Sequence, residues 1–279
     1  IRDRAILMRN RMLNRGVVAL NVVYDDINRL QYQEKGRRLL ERVTKVANYA
    51  GVGVQTQVRI ATNIINGIKH AFKEFNASEM IIGMHKSEDS AKKFWGEFIP
   101  GLFNGLSRQI TIVRCLRPLN TLRRIQVAVP SRAEFEPGFY RWMERLARIA
   151  ENLDCRIQFH AKRETLSLIN EYIQHRHPNV RAEYTFMAHW IDIANLADGV
   201  ADDHLFVVIT ARKGTISYKS ALERLPEELT TYFSGKSLMI IFPDQYGEPV
   251  GAMTLAEPQR HEQRSAYDMI ITWIRKKFA

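Results

Sequence analysis

Two spacings of apolar residues alternate along this chain. Residues 17–23 (VVALNVV) form an unbroken, β-branched apolar run, the pattern of a strand buried on both faces. Residues 52–58 (VGVQTQV) alternate apolar and polar, which also reads as a strand. Residues 80–83 (MIIG) and 109–116 (QITIVRCL) read the same way. Between them lie helical spacings. Leu39, Leu40, Val43, Val46, Ala47 and Ala50 fall on one helical face, ended by Gly51. Ile64, Ile65, Ile68, Ala71, Phe72 and Phe75 fall on another. Residues 90–107 have helical tendency, with an interruption expected near Pro100 and Gly101.

After Pro118 the order begins again. Strands are expected at 124–129, 155–161, 180–187, 204–211 and 237–242. Helices are expected at 139–153, 166–175, 191–197 and 219–233. Residues 1–14 and 265–278 also read as helices, and 244–260 as loop. Alternation of β and α in this manner argues for an α/β protein with parallel sheets flanked by helices. At roughly 150 residues per domain, 279 residues suggest two domains, and the pattern suggests one fold used twice. The expected division is 1–117 and 118–279, with the first domain lacking its first strand. The opening at Ile1, in what reads as a helix, is expected of a piece of a longer polypeptide.

Apolar residues make up 46% of the chain, enough for sizeable cores. No run approaches the roughly 18 to 20 apolar residues that cross a bilayer, and the opening residues do not read as a secretory signal segment, so none is expected. Cys115 and Cys155 stand apart with no CxxC, so neither a disulfide framework nor a zinc ribbon is indicated. A reducing compartment is the default. The net charge of +11 attracts anions. The basic residues are scattered, as at 36–38, 122–124 and 161–163, without an aromatic-interleaved stripe, so specific nucleic-acid binding is not expected.

Residues 63–86 (NIINGIKHAFKEFNASEMIIGMHK) resemble the third helix and fourth strand of universal stress proteins. Residues 19–26 (ALNVVYDD) resemble that family's second strand, 124–130 (RIQVAVP) the first strand of a second copy, and 202–214 (DDHLFVVITARKG) its fourth. The resemblance covers residues 1 to about 244. It implies two tandem universal-stress-like (adenine nucleotide alpha hydrolase-like) domains, each with a five-stranded parallel sheet. It also implies that the fifth strands, here within 109–116 and 238–242, pair with each other.

Nucleotide-binding members of that family carry Gly-x2-Gly-x9-Gly-Ser/Thr after the fourth strand. Glycines let backbone N–H groups approach phosphates, and the following helix N-terminus adds partial positive charge. In this chain the frame reads Gly83, Lys86, then Gly96 followed by Glu97. Lys86 offers a charge where backbone clearance is lost, and Glu97 opposes a phosphate, offset by Ser87, Lys92 and Lys93. Glu88 and Asp89 also suit the first turn of an ordinary helix that binds nothing. The resemblance implies a site for ATP or AMP made by Val22, Gly83, His85, Lys86, Ser87 and Gly96. The second copy has no glycine at the end of its fourth strand, and Pro130 stands where an acidic residue is expected, so no ligand is expected there.

The family also occurs as a tandem cytosolic tail of sodium/proton antiporters. The resemblance thus implies a non-enzymatic regulatory domain of a membrane cation/proton antiporter, cytoplasmic and at the inner face of the membrane. Its expected partners are the transporter domain of the same parent chain and a second copy of itself. The alternative is a stand-alone tandem stress protein that binds ATP or AMP. No catalytic or metal residues are indicated. His175 and His177 read as a solvated helix end. His160, His189 and His204 have no catalytic partner in view, and Ser131 lacks a GxSxG setting. Cys115 reads as a small core residue, and Trp95 and Trp142 as core or domain-contact residues. Ala266, Met269, Ile270, Trp273 and Ile274 make an apolar stripe followed by Arg275, Lys276 and Lys277. That helix either packs on its own domain or meets an anionic membrane surface.

Overall fold

The computed structural model describes residues 16–84 and 93–246. The expected helices at 1–14 and 265–278, and the site residues His85, Lys86 and Ser87, lie outside the described residues. The first strands and helix follow the apolar pattern: β1 (Val17–Tyr24), α1 (Arg29–Tyr49) and β2 (Val54–Ala61). Next come α2 (Ile64–Glu74), β3 (Glu79–Gly83) and β4 (Gln109–Arg114). Between β3 and β4, a π-turn (Phe94–Phe98) runs directly into α3 (Ile99–Phe103). The expected break at Pro100 does not occur. Pro100 sits in the first turn of α3, where a missing N–H costs no hydrogen bond, and the irregular turn precedes it. In α1 the buried face is Gly36, Leu40 and Ala47, while Leu39 points outward.

The second series is β5 (Arg124–Ala128), α4 (Phe139–Leu153), β6 (Arg156–Ala161), α5 (Arg163–Arg176) and β7 (Ala182–Phe186). It ends with β8 (His204–Ile209), α6 (Leu225–Tyr232) and β9 (Ser237–Phe242). Residues 190–199 and 220–224 are 3-10 segments rather than α-helix. Helix α4 buries Phe139, Trp142, Met143, Leu146, Ile149 and Ala150, the stripe its spacing announces. It is entered at Gly138, whose Cα approaches Asp244 so closely that an added Cβ would lie 2.5 Å from the Asp244 nitrogen.

Strands β1 and β2 pair in parallel as a separate ribbon. The other seven form one sheet in the order β3-β4-β9-β8-β5-β6-β7. All neighbours in it are parallel except β4 and β9, which pair antiparallel from Ile110 opposite Phe242 to Arg114 opposite Leu238. These are the two fifth strands, joined as the resemblance implied. One face of the sheet packs on α4 and α5 around Trp142 and Phe159. The other packs on α3, α6 and the 190–199 segment around Phe206 and Leu102. Among the described residues no helix is long and apolar enough to cross a membrane.

Polar groups are buried where the apolar pattern says nothing of them. His177 is not a solvated helix end. Its Nε2 lies 2.8 Å from Glu144 and its Nδ1 2.9 Å from Glu151, so it staples the end of α5 to α4. The Tyr172 hydroxyl donates to the same Glu144 at 2.5 Å. His160 is likewise buried, with Nε2 3.2 Å from the Gln126 carbonyl oxygen. Cys115 falls just past β4 and is half-buried, whereas Trp142 is fully buried.

The staple sets a pH dependence. Burial acts to raise the Glu144 pKa, but hydrogen bonds from His177 and Tyr172 and the nearby Arg148 outweigh it and bring it to about 2. Burial acts to lower that of His177, but both carboxylates outweigh it, and it is raised from 6.5. A depressed acid contributes stability above its unfolded value of 4.5 that is lost as pH falls toward 2. A raised histidine contributes stability below 6.5 that is lost as pH rises through its folded value. Urea denaturation should therefore show the largest contribution of the staple between these limits. His177→Gln should flatten the decline on the alkaline side and weaken the one on the acid side, because Glu144 then keeps only Tyr172 and Arg148.

Candidate functional site

In a parallel sheet the chain must cross over between strands, and loops gather at the strands' C-terminal ends. Strand β5 has β6 on one side and β8 on the other, so the chain runs outward from it in both directions. That reversal opens a crevice between the loops after β5 and β8, where α/β proteins hold ligands. The described structure has such a crevice at this position, in two connected chemical environments. An outer chamber of about 610 Å³ is lined by Ser131, Arg132, Lys162, Thr165, Tyr218 and Lys219, among others. An inner one of about 280 Å³ shares Ser131, Lys162 and Lys219 and adds Val129, Met187, Trp190 and Leu222.

Each wall has a local cause. Strand β5 continues its pairing one residue further, with the Val129 N–H donating to the His160 carbonyl at 2.9 Å. Pro130 then ends it. Arg132 is held in the left-handed region, φ 66° and ψ 14°. That conformation costs an ordinary residue about 1–2 kcal/mol, so the turn is dictated by its surroundings. Below it the buried Glu134 accepts from the Thr165 hydroxyl at 2.8 Å, tying the β5 loop to the first turn of α5. Glu136, also buried, accepts from the Ser217 N–H at 2.9 Å and its hydroxyl at 2.6 Å. That pair anchors the β8 loop to the β5 loop. The 190–199 segment is capped at its start by His189 and Asp192, with the His189 N–H donating to Asp192 at 3.1 Å.

The polar groups left over in the crevice favour an anion. Lys162 and Lys219 are exposed and form no ion pair among the described residues. The Ser131 hydroxyl is buried without a protein partner. Lys162 is also the N-cap of α5, with no side chain closing that helix end, so its free N–H groups and dipole add positive potential. Of the acidic groups present, Glu134 is already bonded to Thr165, leaving Glu164 at the rim. The inner chamber is apolar. An apolar group bearing an anion matches both parts.

The residues expected from the sequence lie on separate elements. Val22 is in β1, where its Cγ1 sits 2.8 Å from the position a Cβ on Gly67 of α2 would take, so its side chain serves helix packing. Gly83 ends β3 at the C-terminal edge of that strand. Gly96 lies in the π-turn with open space where a Cβ would be. Because β3 and β4 run opposite to β9, β8 and β5, Gly83 faces the opposite edge of the sheet from Ser131. Lys162 and Lys219 carried a signal only as part of a scattered basic count. They are 57 positions apart in sequence and meet only through the fold. Among the described residues no group of three metal-ligating side chains is assembled.

No family model and no curated protein matches the chain by sequence. Solved structures match it in fold. A universal stress protein from Archaeoglobus fulgidus superposes with a TM-score of 0.56 at 13% identity, covering 88% of this chain and 91% of its own. A putative universal stress protein from Pseudomonas aeruginosa gives 0.51 at 14%, covering 87% of each. The cytoplasmic domain of a prokaryotic cation chloride cotransporter gives 0.55 at 10%, covering 88% of this chain and 92% of its own. The fold is therefore universal-stress-like, over most of the chain.

The Glu134–Thr165 bond holds the crevice in shape. Thr165→Val should leave a buried carboxylate without its donor and cost about 1–3 kcal/mol, measured by chemical denaturation.

Proposed function

We propose that this chain is a non-enzymatic regulatory unit of a membrane cation transport system, controlled by a phosphate-bearing ligand of the adenine nucleotide class. The observation that carries the ligand is the crevice of the second half. It combines Lys162 and Lys219, which form no ion pair among the described residues, a buried Ser131 hydroxyl with no partner among them, and an apolar inner chamber. Buried polar atoms are ordinarily satisfied, so a hydroxyl without a partner among the described residues, in a crevice also lined by two lysines, is a reason to look for a ligand. The sequence-level resemblance favoured the first half. The crevice at Ser131, Lys162 and Lys219 supports a reading in the second half, while His85, Lys86 and Ser87 of the first-half site lie outside the described residues.

The transport role rests on two supports. The fold aligns over most of its length with the cytoplasmic domain of a cation chloride cotransporter. The resemblance to universal stress proteins also implies tandem copies attached to sodium/proton antiporters, at the inner face of the membrane. The basic surface, net +11, suits a position beside anionic lipid headgroups. In this reading the ligand acts by binding two transporter states unequally, the only way a ligand shifts an equilibrium.

Calorimetric titration with ATP and AMP tests the ligand. Hydrogen bonds to charged groups contribute about 1.5–3 kcal/mol, so Lys162→Ala or Lys219→Ala should each weaken binding about tenfold or more. Gly96→Trp, in open space on the π-turn, should leave affinity unchanged. Affinity lost in Gly96→Trp but kept in both lysine variants would move the site to the first half. No heat with either nucleotide would remove the ligand from the proposal.

A further inference from the structure

Strands β5, β6, β7 and β8 are parallel and end at one level. Ala128 of β5 stands opposite His160 of β6 and Val208 of β8, and Ala161 of β6 stands opposite Phe186 of β7. The segments that follow them therefore leave the sheet from one edge, around the mouth of the crevice. Three of these segments carry large apolar side chains that are more than half exposed: Phe135 after β5, Phe186 and Ile191 at and after the end of β7, and Ile216 after β8. Ile191 lines the inner chamber and Ile216 the outer one, while Phe135 and Phe186 each adjoin a lining residue in sequence, Glu134 and Met187.

Four cations stand among them. Arg132, Lys162, Arg163 and Lys219 are all exposed and form no ion pair among the described residues. The Arg163 guanidinium lies 5.2 Å over the Phe186 ring, so charge and apolar surface meet directly. The nearby acids are mostly engaged. Glu134 and Glu136 are buried and hydrogen-bonded, Asp192 accepts from the His189 N–H, and Glu223 accepts from Lys213 at 2.9 Å. Glu164 is left at the rim. Single exposed apolar residues are ordinary on any surface. Four of them grouped at one edge with four cations mark an interaction site.

We infer that this edge is a docking surface for an anionic phospholipid bilayer, with Phe135, Phe186, Ile191 and Ile216 entering the headgroup region and the four cations meeting lipid phosphates. Two observations favour a bilayer over a protein partner. The cations are interleaved with the apolar side chains instead of ringing an apolar centre, and two of them are lysines, a residue depleted at protein interfaces. Apolar side chains flanked by Lys and Arg are the composition that binds lipid interfaces. Segments that rise from one level of a sheet also present a broad contact to a broad, flat partner. This surface is assembled by the fold from residues 132–219, and it stands on exposure and charge whether or not a nucleotide enters the crevice.

The test is co-sedimentation of the 279-residue chain, without nucleotide, with vesicles of phosphatidylcholine alone and of phosphatidylcholine mixed with phosphatidylserine. Binding should appear on the mixed vesicles only and weaken with salt. Burying a phenylalanine shifts an equilibrium about tenfold or more, so Phe135→Ser and Phe186→Ser should each weaken binding at least tenfold. Arg163→Gln should weaken it about fivefold, the effect of one cation near an anionic surface. Both phenylalanines are exposed, so the variants should fold, which circular dichroism checks. Tyr232→Ser removes an equally exposed side chain at the end of α6, outside this edge, and should change nothing. No binding to the mixed vesicles, equal binding to both kinds, or binding that survives both phenylalanine variants would overturn the inference. Self-association abolished by Phe135→Ser, with no vesicle binding, would assign the surface to a second copy and overturn it too. Loss of vesicle binding with ATP titration intact in Phe186→Ser would separate this surface from the ligand site, so the two proposals fail separately.

Discussion

The antiparallel pairing of β4 with β9 is the contact on which the rest of the architecture depends. It turns four strands of one half and five of another into a molecule with a shared core, because residues on both sides of the joint are buried. Ile110 and Ile112 are buried in one cluster with Leu238 and Ile240. Polar bonds reinforce the joint. Arg114 donates to the Phe233 carbonyl at 2.5 Å, and the Leu116 N–H to Ser237 at 3.1 Å. Arg145 of α4 donates to Glu79 of β3 at 3.1 Å, with Gln109 on the same carboxylate at 3.3 Å. Reversal at this joint also sends the strand ends of the two halves to opposite edges.

Strand and helix periods were legible in the residues because burial writes them there directly. The stripe from Phe139 to Ile149 and the runs ending at Ile209 and Phe242 needed no partner to be recognised. The 3-10 segments at 190–199 and 220–224 were not distinguishable from α-helix, since both place apolar residues three or four apart. The buried charges were less legible still. His177 follows a helix and stands beside Pro178, a setting typical of a solvated end, and its partners Glu144 and Glu151 are 33 and 26 residues away. Long-range polar bonds leave no local period.

The candidate site shows the same limit from the other side. A glycine frame is a contiguous signal, so Gly83 and Gly96 drew notice, yet they lie on separate elements and Gly96 has no close neighbour that requires a glycine. The crevice is assembled from Ser131, Lys162 and Lys219, each unremarkable in its own window. Its clearest mark, the left-handed Arg132, is a backbone property that an arginine does not advertise.

Regulation through this crevice would run along the loop that follows β8. One end of that loop is fixed to the crevice wall by Ser217 on Glu136. The other end carries Arg212, which donates to the carbonyls of Leu106 and Arg108 in the first half and lies 4.8 Å over the Phe103 ring. Burial lowers the Arg212 pKa to about 10, so it stays charged near neutrality and those bonds remain charge-assisted. A ligand drawn to Lys219 would therefore pull on a segment bonded across the joint between the halves. Charge-assisted bonds to backbone carbonyls are directional, so a shift of the loop either carries the first-half turn with it or breaks them. Coupling between distant sites requires two arrangements with unequal affinity, and these bonds are the contacts that a second arrangement would have to break or carry along.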